Sequence, residues 1–246
     1  MKNSNCLKEK LMKFSVGEDL REELSRKDTP MVFREIAQTV LSGYFKVTKG
    51  NDENDMVKIY PTCVELYFHE EQEDGIKDYI VYHRNIGKKL KSVFPLGILH
   101  NHVSGIDVTF EQGDDAEHAI RLSVLVREFR VDVSNKKTDI YQNDDWDNKN
   151  YIVKYPTHLY DAIYSQYSIF DGGFKIEWND GEETLKLKAE SEYRINVPNY
   201  IKLGNKMIKE PYASGKKEVK TKTGDYVQDT RKWLFRIDDY EKKNNR

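Results

Sequence analysis

Two apolar runs, residues 62–68 (TCVELYF) and 122–131 (LSVLVREFRV), constrain the chain most, because each carries ionisable side chains inside an otherwise strand-like pattern. β-Branched and aromatic residues dominate both runs, a composition that suits a pleated, packed surface. Successive strand side chains point to opposite faces, so Cys63, Glu65 and Tyr67 share one face while Val64 and Leu66 take the other. If that first face is buried, Glu65 needs a partner or a raised pKa. If it is solvated, the three residues are surface positions. Arg127 meets the same condition in its own run: when buried it pairs with a pocket carboxylate or a phosphate, and otherwise it is a strand-end or structural ion-pair residue.

The segments around these runs predict one α+β domain over residues 29–240, a curved, mixed or antiparallel β-sheet flanked by helices. Residues 29–43 read as a helix capped by Thr29, with Pro30 in its first position and Phe33, Ile36, Ala37, Val40 and Leu41 at helical spacing. Gly43 closes it, and Tyr44, Phe45 and Val47 begin a strand. Further strands are expected over 79–82, 98–102, 106–110, 174–178, 185–188 and 233–237. Asn179-Asp180-Gly181 is a hairpin signal between two of them. A short helix is expected over 158–164, and a long Lys-rich loop over 202–228. Residues 1–28 form a polar leader with one short helix, and residues 241–246 a charged tail. A chain of 246 residues suits one large domain, and with 38% apolar residues it still buries a core.

Several classes are disfavoured. Cys6 and Cys63 are too few for a disulfide framework or a thiolate zinc site. No run approaches the ~18 apolar residues of a membrane helix, and no secretory h-region is visible, so the expected location is cytoplasmic, without a membrane or an obligate protein partner. Net charge is −2, yet residues 202–246 hold 13 Lys/Arg against 7 Asp/Glu. Arg84, Lys88, Lys89 and Lys91 form a second basic cluster, and Asp144, Asp145 and Asp147 an acidic one. Such runs serve as solvated faces or as phosphate grips.

Taken in order, AQTVLSGYFKV (37–47), CVELY (63–67), YHRN (82–85), FPLGILHNHVSGID (94–107), Leu125-Val126-Arg127, the helix at 156–162 and RKWLF (231–235) resemble the motifs of the alkyladenine (3-methyladenine) DNA glycosylases. The resemblance spans about residues 31–240. It implies that fold and a monofunctional enzyme without cofactor or metal, acting on double-stranded DNA. In that family the Glu of Glu-x-Tyr activates water and the Tyr stacks on a flipped base, which falls here on Glu65 and Tyr67. Arg127 would orient the water. The chain departs from the pattern at Cys63, where the family has an acid, at Ser104, where it has an aromatic, and at Glu111, where it has an Asn.

Glycosidic hydrolysis on a flipped nucleotide needs a carboxylate that serves as general base and stabilises oxocarbenium charge. Glu65 and Arg127 are thus the candidate catalytic residues. Tyr67, His69, Tyr82, His83 and His102 are the candidate base-binding residues, since base-on-ring stacking contributes ~1–3 kcal/mol per base. Arg84, Lys88 and Lys89 are the candidate backbone contacts. Two alternatives stand beside this. One is a non-catalytic nucleic-acid-binding protein on the same fold. The other is a divalent-metal hydrolase or nuclease using His100 and His102, with Asp107 and Glu111 close by in sequence.

Overall fold

The computed structural model describes residues 6–13, 22–24, 30–49, 52–78, 81–85, 89–133, 152–164, 170, 173–181, 187–188, 190–192, 194 and 231–238. Between residues 202 and 227 it also describes the backbone of four short strands. Lys88, Asp144, Asp145, Asp147 and the 241–246 tail lie outside the described residues.

A single strand of 19 residues, β2 (Asp52–Glu70), is the spine. On one side it pairs with β5 (Ile120–Val133) from Val57↔Val133 to Glu70↔Ile120. On its other side, its first half pairs with β1 (Tyr44–Lys49) and its second half with β11 (Leu234–Arg236). β3 (Ile98–His102) and β4 (Gly105–Thr109) extend the sheet beyond β5, and β6 (Phe174–Asn179) closes the opposite edge beside β1. Every strand pair in this α+β sheet is antiparallel, and the sheet curls into a half-barrel. β2 changes register against β5 on both sides of Cys63, next to Pro61, which has no N–H to give to a ladder.

Helix α2 (Met31–Ser42) buries Phe33, Ile36, Ala37, Val40 and Leu41 against Val64, Leu66, Phe68, Leu122, Val124 and Phe235. Trp233 joins them with its ring edge-on to Phe33, 5.0 Å between centroids. The leader contributes to this core as well: Leu7 and Leu11 of α1 (Cys6–Lys13), with Leu24, are buried in it. α3 (His158–Tyr164) packs Leu159, Ala162 and Ile163 into a second cluster with Ile106, Val108 and Val126. No helix among the described residues is long and apolar enough to cross a membrane.

Four local expectations are corrected. Pro30 is the N-cap of α2 rather than its first residue, and Thr29 lies outside the described residues. The open amides of Met31 and Val32 donate instead to the Glu23 carboxylate, at 2.6 and 3.4 Å. The expected strand at 79–82 is a turn at Tyr82 and His83, held by local bonds from Val81 N to Asp78 O and from Arg84 N to Val81 O; residues 79 and 80 are not described. The Lys-rich 202–228 segment is not loop alone, since β7 (Lys202–Leu203) pairs with β8 (Lys206–Met207) and β9 (Glu218–Thr221) with β10 (Gly224–Val227). Leu187 bridges Ile237 rather than β6, whose partner is β1.

Gly43 ends α2 where the chain passes the indole of Trp178. Its φ of −111° suits any residue, so space decides: an added Cβ would sit 2.2 Å from Trp178 Cζ2. Gly43→Ala is expected to destabilise the protein by about 1–3 kcal/mol through overpacking, read as a lower urea midpoint. An unchanged midpoint would mean that Trp178 moves aside at no cost.

Candidate functional site: a buried layer of paired charge

Cross-strand partners share a face, and the register sorts this sheet into an apolar and a polar one. Val64, Leu66, Val108, Val124 and Val126 point to the core. On the other face, Glu65 and Asp107 both pair with Leu125, and His100 pairs with Asp107, so the three polar residues lie on one rung. Tyr67, Ser123 and Thr109 form the next rung. This polar face is buried too, beneath residues that follow β2 and those before β11.

Glu65 has no exposed surface. Tyr67 donates its hydroxyl to Glu65 Oε2 at 2.6 Å, and Arg127 Nε lies 3.6 Å from Oε1. Burial and the Glu65 charge raise the Tyr67 phenol well above its ordinary pKa, so it stays protonated and donates. Arg194 packs over the Tyr67 ring at 4.9 Å. Cys63 is buried, with its thiol raised mainly by desolvation, partly offset by the charge of Arg236.

A second cluster surrounds Asp107. His83 Nδ1 meets Glu111 Oε1, while its Nε2 faces Ser123 Oγ at 3.3 Å and Asp107 Oδ2 at 3.5 Å. His102 Nε2 approaches the same Asp107 oxygen at 3.3 Å. Burial alone would favour a neutral His83 ring, but Asp107 and Glu111 outweigh it and raise its pKa to about 9. Burial would likewise favour a neutral Asp107, yet His102 and His83 hold its carboxyl at about 2. His100, affected by burial and by the His83 charge, is pushed toward its neutral form. The Ser123–His83–Glu111 line has the connectivity of a nucleophile relay. A cationic His83 has no lone pair to accept the serine proton, however, and Ser123 is wholly buried. The arrangement is a clamp.

Arg121 ties this cluster to its cover. With no exposed surface, it donates from Nε to Glu71 at 2.8 Å and from Nη1 to Glu111 and the Ser92 carbonyl at 2.9 and 2.7 Å. Its Nη2 reaches Asn85 and the Lys91 carbonyl at 3.2 and 3.0 Å. Asp78 is held in turn by Arg194 at 2.7 Å and Arg231 at 3.0 Å.

The expected site residues divide accordingly. Tyr67 and Arg127 each contact Glu65, and His83 and His102 share Asp107. Tyr82, 46% exposed, stacks on His102 with 4.6 Å between centroids at 23°. His69 instead accepts the Asp78 amide at 3.0 Å and lies 3.5 Å from Glu71, so its ring anchors the cover. Arg84 is half-buried and bonded to the Val81 carbonyl, and Lys89 is exposed. Ser104 is exposed and donates its amide to His102 Nδ1, while Glu111 is buried in the clamp.

Ser123, Arg121, Asp78, Arg194 and Arg231 were not among the expected site residues, and Asp107 entered only beside His100 and His102 in the metal alternative. Arg121, just ahead of the 122–131 run, sits an even number of positions from Arg127, and that signal alone would have put both on one face. No group of three or more His, Cys, Asp or Glu among the described residues is arranged to hold a metal ion, His100 and His102 included. Compared with family models, curated proteins and solved structures, the chain matches none.

A raised His83 pKa stabilises the fold fully below the ordinary imidazole value of ~6.5, and the contribution is lost as pH rises through about 9. The depressed Asp107 contributes fully above the ordinary carboxylate value of ~3.9, and its share is lost as pH falls through about 2. Urea unfolding at about pH 6 and pH 9 is expected to show a larger loss of stability for the wild type than for His83→Gln. Equal losses would show that the clamp carries no charge.

Proposed function

We propose that the chain is a hydrolase of N-glycosidic bonds in double-stranded DNA, a monofunctional glycosylase that releases an altered base in base excision. The observation that carries this reading is Glu65: a wholly buried carboxylate bonded to Tyr67 and paired with Arg127. Such a group suits the reaction. Base departure leaves positive charge on the sugar, and a desolvated, fixed carboxylate stabilises it more than water does. The same carboxylate then takes the proton of the attacking water. Arg127 sets the carboxylate's orientation, and the protonated Tyr67 holds the second oxygen.

Stacking surface is available in His102, on the strand pair that carries Asp107, and in Tyr82, which stacks on it from the turn beyond β2. Arg84 and Lys89 follow Tyr82 in sequence and supply charge for backbone phosphates. Binding through them weakens with salt as counterions are released.

Alkylated duplex DNA incubated with the protein and then treated with alkali is expected to break at abasic sites. Glu65→Gln is expected to lower that rate by about 10²–10⁴-fold with DNA binding retained. Cleavage at the wild-type rate in Glu65→Gln would overturn the role of Glu65. A second reading, a DNA-binding protein without chemistry, is favoured by the absence of any exposed surface on Glu65 and by the non-aromatic Ser104. Salt-sensitive duplex binding with no base released from any lesion would select it. Activity abolished by a chelator would select the metal-dependent hydrolase.

A further inference from the structure

The two edges of the curled sheet meet a single cavity on its apolar side. β3 and the residues before it supply Leu96, Gly97 and Leu99, and the opposite edge strand β6 supplies Ile176 and Trp178. Phe45 and Val108 complete the strand walls, and Leu7, Lys8 and Leu11 of α1 line the cavity from the helix side. The cavity measures about 320 Å³. Ligand pockets begin at about 300 Å³. The mouth of a curled sheet is also a recurrent place for such pockets.

We propose that this cavity is a binding site for a small amphiphile, with an apolar body seated among Leu99, Val108 and Trp178 and an anionic group paired with Lys8. The lining selects the body. Its side chains are aliphatic or aromatic except for Lys8, so an apolar body gains more from the lining than a polar one. Lys8 selects the head group: it is exposed and forms no ion pair among the described residues. The site stands ready-made rather than needing a core residue to withdraw. Leu7 N is bonded to Asp180 Oδ1 at 3.2 Å, and Trp178 Nε1 reaches the same oxygen at 3.3 Å, which fixes α1 beside the indole wall. At Gly97, with φ +82°, an added Cβ would meet no atom within 4 Å, so this wall faces open space. Val108 and Leu99 adjoin Asp107 and His100 in sequence but point to the opposite sheet face, so this site is separate from the Glu65 layer.

Two naphthalene dyes of the same ring system test the proposal on the full chain. Anilinonaphthalene sulfonate carries an anion, and phenylnaphthylamine does not. Both are expected to bind saturably at one site, with fluorescence enhancement and the sulfonate preferred. Lys8→Glu is expected to weaken the sulfonate by about fivefold, the scale of an exposed ion pair, and to leave the neutral dye unchanged. Gly97→Asn, a residue tolerated at positive φ, places a polar group at the open wall and is expected to weaken both dyes. Circular dichroism and the melting midpoint establish that each variant is folded. No saturable binding by the folded protein, unchanged affinities in Gly97→Asn, or an undiminished sulfonate preference in Lys8→Glu would each overturn the proposal.

Discussion

Arg121 is a guanidinium with no contact with water, held by Glu71, Glu111, Asn85 and two backbone carbonyls. A buried charge costs several kcal/mol to desolvate, and only near-complete hydrogen bonding offsets it. That requirement shapes everything around the candidate site. Glu71 lies just past β2, Asn85 in the turn beyond it, Ser92 and Lys91 on the approach to β3, and Glu111 two residues past β4. One side chain therefore fastens the cover to the sheet. It also positions Glu111, which faces His83, which in turn faces Asp107.

A single strand supplies the other half of the geometry. β2 presents Val64, Leu66 and Phe68 to α2 while turning Glu65 and Tyr67 to the polar face. The register shift around Cys63 occurs immediately before Glu65, and it reconciles a 19-residue strand with different neighbours along its two halves. Strand pairing thus places Glu65 and Asp107 on either side of Leu125, although 42 positions separate them in sequence. The same sheet has two uses: its charged face holds the ionised layer, and its apolar face holds both the helix-covered core and the cavity under α1.

Much of the architecture was legible from local pattern. The α2 helix, the strands at 98–102 and 122–131, the helix at 158–164 and the strand near Leu234 follow from periodicity, because apolar spacing matches the geometry of a helix or strand. Glu65 and Arg127 were each legible as charges inside apolar runs that need a partner or water, but their pattern left the partner of Arg127 open, and only the resemblance grouped them with Tyr67. Elsewhere the signal was ambiguous. Residues 79–82 have a strand-like composition, yet the backbone at Tyr82 and His83 satisfies itself locally in a turn. His69 matches the other histidines by residue type, and only its contacts with Asp78 and Glu71 give it a different task.

By itself the sequence determined the type of the strongly periodic elements, the apolar positions of the core and the alternation that puts Glu65 and Tyr67 on one strand face. These depend on backbone periodicity and on water avoidance, which act over a few residues. Only the tertiary structure decided that this face is buried, that Asp107 rather than a closer acid joins His83 to His102, and that Arg121 is saturated by five partners. Those outcomes depend on strand register and on chain segments far apart in sequence, and neither is written in any local pattern. The cavity beneath α1 has the same origin, since it exists only where the two edges of the curled sheet approach each other.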